Sequence, residues 1–304
     1  MTRLCIVVHA SDADDPRLHE ALRGARQQGH SIDLRIAAKP GDTAGLVGAA
    51  VAEARRDAFD CLVAAGGDGT VNQVFAAARA EGLPPNCSLA VLPLGTANDF
   101  ARSAGIPADD LEAALAIATS AVPRRIDAGE IDGRLFVNLL SGGFGARITA
   151  ETDPGLKDQL GGLAYALTGV ARFAELSANR GRFRAEGFAW EGDFVALAIG
   201  NGRRAGGGIE LCPDALLDDG LLDLTIVPTL DRTRPLEALG NLLRCGTQGL
   251  VSTLPTARSA WIEYESAQDL NVNLDGEPMV LKSFRVDARP RALPVRLGET
   301  AALG

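Results

Sequence analysis

Four short, mainly apolar runs, each followed by a segment of helical periodicity, constrain the first third of this chain more than any other feature. Leu4–Val8, Ser31–Ile36, Cys61–Ala65 and Leu89–Leu92 are the length of strands and read as buried ones. Between them Pro16–Gln28, Thr43–Asp57 and Thr70–Glu81 set Ala, Leu and Val at helical spacing against Arg, Glu and Gln. The resulting βαβαβαβ order predicts a parallel sheet with helices on both faces. Such a sheet binds ligands in the crevice at the carboxyl ends of its strands.

After a further helical segment, Asp109–Thr119, the texture changes, and Pro123-Arg124-Arg125 reads as a hinge. From there the strand-like segments are 127–131, 135–140, 182–190, 193–199, 222–227, 261–265, 270–274 and 283–288, bounded by Gly, Asp or Pro. This pattern predicts a β-sandwich interrupted by two helical insertions, near 157–176 and 233–244. The expected organisation is an α/β nucleotide-binding domain over 1–124 and a β-sandwich domain over 125–304.

Composition narrows the function classes. The 304 residues carry 30 Lys and Arg against 39 Asp and Glu, a net charge of −9, which opposes broad adhesion to nucleic acid. The five cysteines form no CxxC or His/Cys ligand spacing and read as reduced thiols. Neither a signal peptide nor an 18-residue apolar span is legible, so a cytoplasmic protein is expected.

Gly66-Gly67-Asp68-Gly69-Thr70-Val71-Asn72 stands directly after a predicted strand and opens a predicted helix. Glycines there let backbone amides approach a phosphate, and the helix N-terminus adds partial positive charge. Asp68 fits either a divalent cation accompanying the phosphate or a helix cap. The next strand ends in a loop of the same design, Pro93-Leu94-Gly95-Thr96-Ala97-Asn98-Asp99-Phe100-Ala101-Arg102, so two adjacent strand ends present Gly-Thr loops side by side. No GxxxxGK[ST] occurs, which excludes a P-loop enzyme. Leu274-Asp275-Gly276-Glu277 can supply a metal-holding carboxylate and a proton acceptor, or simply an Asp-Gly hairpin turn. Asp214, Asp218, Asp219 and Asp223 offer hard oxygen ligands or a plain turn, and Arg203-Arg204 an anion contact or solvated charge.

In order along the chain, GGDGT, PLGTANDFAR, GGFGA (142–146), GNGRRAGGG (200–208), CPDALLDDGLLDL (212–224) and NLDGEP (273–278) resemble the bacterial diacylglycerol-kinase-type lipid kinases, the YegS lipid kinase family in particular. The resemblance implies a NAD kinase- and diacylglycerol kinase-like fold and ATP-dependent phosphotransfer to a membrane-lipid hydroxyl, with phosphatidylglycerol as acceptor and diacylglycerol as the alternative. Carried over residue by residue, it assigns ATP contacts to Gly67, Asp68, Gly69, Thr70, Val71, Asn72, Gln73 and Thr96. It makes Glu277 the proton acceptor, with Asp275 and Asp68 organising Mg2+. It also places a separate structural ion, Mg2+ or Ca2+, on the carbonyls of Leu216 and Leu221 and the side chain of Asp219. The implied partners are a lipid substrate and a transient membrane-surface contact, through Leu160–Leu176 and Arg180, Arg182 and Arg184.

Two positions depart from the family pattern. His9-Ala10 stands where Asn-Gly is common, and Ala37 where a Thr contacts the nucleotide. They motivate a non-catalytic binding protein as a rival reading, while GGDGT alone also suits a NAD-kinase-like phosphotransferase.

Overall fold

The computed structural model describes residues 1–39, 41–143, 178–205, 209–229 and 254–304. The anticipated insertions at 157–176 and 233–244 lie outside the described residues, as does most of the expected membrane-contacting segment.

The amino-terminal strands are β1 (Arg3–His9), β2 (Ser31–Ala37), β3 (Cys61–Gly66) and β4 (Ser88–Pro93). They lie in the order β4-β3-β1-β2, and every pairing among them is parallel. Their segments are apolar because both faces are covered. Residues of β3 and β4 are buried throughout, whereas β2 at the edge is only partly so.

Helices α1 (Pro16–Gln27), α2 (Asp42–Ala54) and α3 (Asp68–Ala80) supply the crossovers, followed by α4 (Asp99–Ser103) and α5 (Leu111–Ser120). The chain runs from β1 to β2 in one direction and from β2 to β3 in the other. Right-handed crossovers therefore put α1 and α2 on opposite faces. Accordingly α1 packs with α5, and α2 with α3. α1 and α5 are capped by side chains, the Asp15 carboxylate accepting from the Arg17 amide and Asp110 from the Ala113 amide. At α3 the cap is Gly67, with no side-chain acceptor, so the helix's first amides face outward unsatisfied by a cap. The five-residue α4 was not anticipated; it forms inside the PLGTANDF loop, where Asn98 takes a left-handed φ of 51°.

The remaining strands are β5 (Pro123–Ile131), β6 (Arg134–Phe136), β7 (Leu139–Gly143), β8 (Asn179–Ala185), β9 (Phe188–Gly200), β10 (Arg204–Ala205), β11 (Ile209–Glu210), β12 (Leu222–Pro228), β13 (Thr256–Ser259), β14 (Trp261–Leu274) and β15 (Glu277–Arg296). β9 and β14 each pair with β8 over one half and with β7 over the other, so β8 and β7 follow one another between the same two long strands. These strands carry the second core, where Phe183, Phe194, Tyr264 and Phe284 meet edge-on or tilted with ring centroids 5.0–5.3 Å apart along Phe194–Phe183–Tyr264–Phe284. The two segments 261–265 and 270–274, separate in the sequence reading, are one strand with an irregularity between Glu265 and Leu270.

β15 joins the two halves. Its start forms a hairpin with β14, its middle pairs with β5, and Val295 reaches Leu89 of β4 in parallel register. Leu293, Val295 and Leu297 thereby enter the first core together with Ile126 and Ala128. The α/β core is built from both ends of the chain.

Gly129 of β5 faces the buried Phe136 ring, and a methyl group there would sit 2.1 Å from Phe136 Cζ. Gly129→Ala is expected to destabilise the fold by about 1–3 kcal/mol, measured by denaturant unfolding, because the ring has no room to withdraw.

Candidate active site

β3 and β4 end side by side, with Gly66 opposite Pro93, so the loops that follow them emerge together. Their contact is close. A Cβ on Gly95 would lie 2.4 Å from the Gly67 Cα and 2.9 Å from Asn98 Oδ1. Asn98 folds the second loop by accepting from the Gly95 amide at 3.0 Å and donating to the Gly95 carbonyl at 2.7 Å. Asp68 ties the loops together, its carboxylate accepting from the Asp99 amide (3.2 Å) and the Phe100 amide (2.9 Å) at the start of α4. Its cap role is therefore real, and its partner is a neighbouring helix.

The acidic turn meets this platform from the other half of the chain. Asp275 and Gly276 take left-handed φ values of 46° and 101°, the pattern of a tight hairpin between β14 and β15. A Cβ on Gly69 would lie 3.8 Å from the Asp275 carbonyl oxygen, and one on Gly276 3.7 Å from the Gly69 Cα. Gln73 on α3 donates from Nε2 to Glu277 Oε1 at 3.4 Å. The GGDGT and LDGE motifs, two hundred positions apart, form one site.

Asp275 is 5% exposed and accepts three backbone amides, those of Val137 (2.7 Å), Asn138 (3.1 Å) and Leu139 (2.7 Å). Burial pushes its carboxyl up to about 7, against the pull of those donors, and the Asp68 charge adds to the rise. A cation shared with a bound phosphate would relieve that repulsion, so the pair fits Mg2+, which commonly takes one or two carboxylates plus phosphate oxygens. Among the described residues no group of three or more His, Cys, Asp or Glu side chains gathers as a metal site.

A cleft of about 890 Å³ opens beside the turn, lined by Asn72, Gln73 and Glu277 at one end and by Arg79, Glu130 and Arg134 at the other. Small residues of α3 and α2, among them Ala76, Ala77 and Ala44, leave the space between. Asn72 Oδ1 is buried without a hydrogen-bond partner among the described residues, an unsatisfied acceptor on a side chain that lines the cleft. The Glu130 carboxylate is paired with Arg289 at 2.7 Å, which holds it well below the usual carboxylate range. Arg79 and Arg134 thus leave the far end positive.

Of the residues assigned from the sequence, Asp68, Gly69, Gln73, Asp275 and Glu277 come together, and Asn72 lines the cleft. Thr70 packs against Gly66, Val71 is buried in the first core and Thr96 is exposed on the second loop. Leu216, Asp219 and Leu221 lie elsewhere, on the loop before β12. There Asp219 accepts from the Leu221 amide at 2.9 Å and is bound by Arg258, which also lies 3.5 Å from Asp223. That carboxylate is already paired with a guanidinium. Arg203 is taken up by the Ala215 carbonyl and Arg204 by Glu210. Arg79 and Arg134 escaped the sequence reading: one is a polar position on a helix, the other follows an Asp-Gly turn, and only folding sets them on one cleft.

Residues 5–131 match the family described as the diacylglycerol kinase catalytic domain, and 138–297 the YegS C-terminal NAD kinase beta sandwich-like domain. The chain belongs to the diacylglycerol kinase and YegS-like lipid kinase family. It is 46% identical to the probable lipid kinase YegS-like of Pseudomonas aeruginosa, over 97% of this chain and 94% of that one. With the protein of the same description from Stenotrophomonas maltophilia the identity is 43%, over 96% and 95%. The fold is shared with a diacylglycerol kinase from Bacillus anthracis str. Sterne, with a TM-score of 0.76 at 21% identity over 98% of this chain and 97% of that one. No described helix is long and apolar enough to cross a membrane.

Asp275→Asn turns an amide N–H toward the Leu139 or Val137 N–H and is expected to cost about 1–3 kcal/mol at pH 5. Because the folded carboxyl binds its proton more tightly than the unfolded one, the wild type loses stability as pH rises from about 4 to 7. The deficit of the variant should accordingly shrink over that interval, as read by urea unfolding at several pH values without nucleotide.

Proposed function

We propose that this protein transfers the γ-phosphate of ATP to a hydroxyl of a membrane phospholipid, with phosphatidylglycerol as the acceptor. The observation that carries the reading is the meeting of the uncapped α3 N-terminus with the Asp275–Glu277 turn, bridged by Gln73 and Glu277. Phosphoryl transfer needs little covalent help from a protein. It needs the donor phosphate held by oriented amides, its charge offset, and a carboxylate placed to take the acceptor's proton.

Each requirement has a residue. The first amides of α3, with Gly67 and Gly69 allowing close approach, hold the phosphates, and Asn72 Oδ1 accepts from the nucleotide. Mg2+, when bound, neutralises the phosphate oxygens and would be held by Asp68 and Asp275. Glu277 is partly exposed at the cleft, hydrogen-bonded by Gln73 and without a cationic partner among the described residues, and takes the proton of the lipid hydroxyl. Gln73 orients that carboxylate.

The positive end of the cleft favours an acceptor that carries its own anion. Arg79 stands six residues beyond Gln73, about 9 Å along the helix axis. A glycerophosphoryl headgroup with its free hydroxyl at Glu277 can turn its phosphodiester toward that end. Diacylglycerol has no charge to place there. A NAD-kinase-like acceptor is disfavoured by the match of residues 138–297 to the YegS domain.

Labelled phosphate transfer from ATP with Mg2+ onto phosphatidylglycerol, diacylglycerol and NAD tests the reading, and label on phosphatidylglycerol is expected. Glu277→Gln should lower kcat by about 100- to 10,000-fold with nucleotide affinity little changed; unchanged turnover removes Glu277 from the mechanism. Arg134→Ala should raise KM for phosphatidylglycerol by about tenfold while leaving KM for ATP within twofold, the scale of one exposed charge-assisted contact.

A further inference from the structure

A second hollow shares none of the cleft's lining residues. Where β15 leaves its pairing with β5, between Arg289 and Leu293, three residues bulge out of register. Arg291 sits in this bulge with a left-handed φ of 52°, a conformation unfavourable for a side chain of its size. It is held there by Asp127, which is 1% exposed and accepts from the Arg291 amide at 2.6 Å and the Gly220 amide at 2.5 Å. A bulge of this kind re-aims a side chain. The one it re-aims here enters a solvent-open hollow of about 310 Å³ lined by Arg124, Arg125, Asp218 and Arg291.

The charges do not balance. Asp218 pairs with Arg124 at 3.2 Å, and its other oxygen accepts from the Gly304 amide at 2.8 Å. Arg125 is fixed by a 3.0 Å hydrogen bond from Nη1 to the Arg291 carbonyl, which leaves its charge unmatched. The Arg291 guanidinium has no partner among the described residues. Three arginines thus line one hollow with one aspartate, in a protein whose net charge is −9. Planar, permanently charged donor forks converging in this way match phosphate oxygens.

We propose that this hollow binds a phosphate dianion, free in solution or as the monoester headgroup of a lipid. Its lining residues are all distinct from those of the cleft, and Arg79 of the cleft donates to the carbonyl of Ala292, next to Arg291, at 3.1 Å. Its location is where the two halves are joined, so an occupant would brace the contact of β5, β15 and the 216–221 loop. Val122, 82% exposed and two residues before Arg124, is the reason to test a lipid source as well.

The test is a thermal melt of the full chain with inorganic phosphate against chloride at equal ionic strength. A parallel arm measures sedimentation with phosphatidylcholine vesicles containing or lacking phosphatidic acid. A saturable rise in Tm of about 3–6 °C is expected when phosphate exceeds its Kd a hundredfold. Arg125→Gln and Arg291→Asn, the latter suited to a left-handed φ, should each weaken the response at least fivefold, while phosphotransfer turnover stays within twofold of wild type. Binding only to phosphatidic acid vesicles, lost in both variants, assigns the lipid source; a Tm rise lost in both assigns the soluble one. No response in either arm, or a response that survives both substitutions, overturns the proposal. In the second case the phosphate is bound at the α3 amides, and the outcome leaves the proposed kinase activity untouched.

Discussion

The carboxylate of Asp275 is the interaction on which the site depends. It is buried in a turn from one half of the chain and accepts three successive amides, Val137 to Leu139, at the start of β7. Those amides donate to the carboxylate and the carboxylate has little solvent, so each offsets part of the other's desolvation cost, and what is left of the carboxylate's raises its proton affinity. The result fixes the β14–β15 turn in position and orientation. Glu277, two residues on, has its place against α3 because Asp275 cannot move. A carboxylate that reads in sequence as a metal ligand is thus first an architectural one, and its remaining acceptor capacity faces Asp68.

The long strand β15 has the same integrating character at the scale of the fold. It carries Glu277 at its start, takes up β5 along its middle, and ends beside β4 in the core of the nucleotide half. The two halves share a hydrogen-bonded strand and a core cluster that draws residues from both ends of the chain. Displacement of one half relative to the other must therefore bend this strand, and its irregular stretch at 290–292 is where the ladder is already interrupted.

Electrostatics divide the molecule into local regions that its net charge conceals. Acidic groups meet at Asp68 and Asp275, where a cation and phosphates would bind, while the other end of the cleft and the Arg291 hollow are positive. On the loop before β12 the acidic run is neutralised from inside, Asp218 by Arg124 and Asp219 by Arg258. An overall excess of acids keeps such a protein off polyanions in general. The arginines restore affinity only where they converge.

What the sequence determined by itself is what depends on local physics. Apolar runs followed by amphipathic segments dictated strands and helices in the first third to within a few residues. Glycines at 66–67 and 69 marked a strand-to-helix turn where backbone amides are approachable, and Asp-Gly at 275–276 marked a tight turn. The short α4 stayed hidden because the Asp68 carboxylate, thirty-one residues upstream, caps it. The fusion of 261–274 into one strand stayed hidden because its irregularity resembles a break. Only the tertiary structure decided what each acidic side chain meets, since the distinction between a solvated carboxylate, a clip and a paired ion depends on what packs against it. It decided, too, that Arg79 and Arg134 face one cleft and that Arg124, Arg125 and Arg291 face one hollow. Convergence of like charges is a property of distance in space, and no spacing along a chain encodes it when the partners lie on different strands.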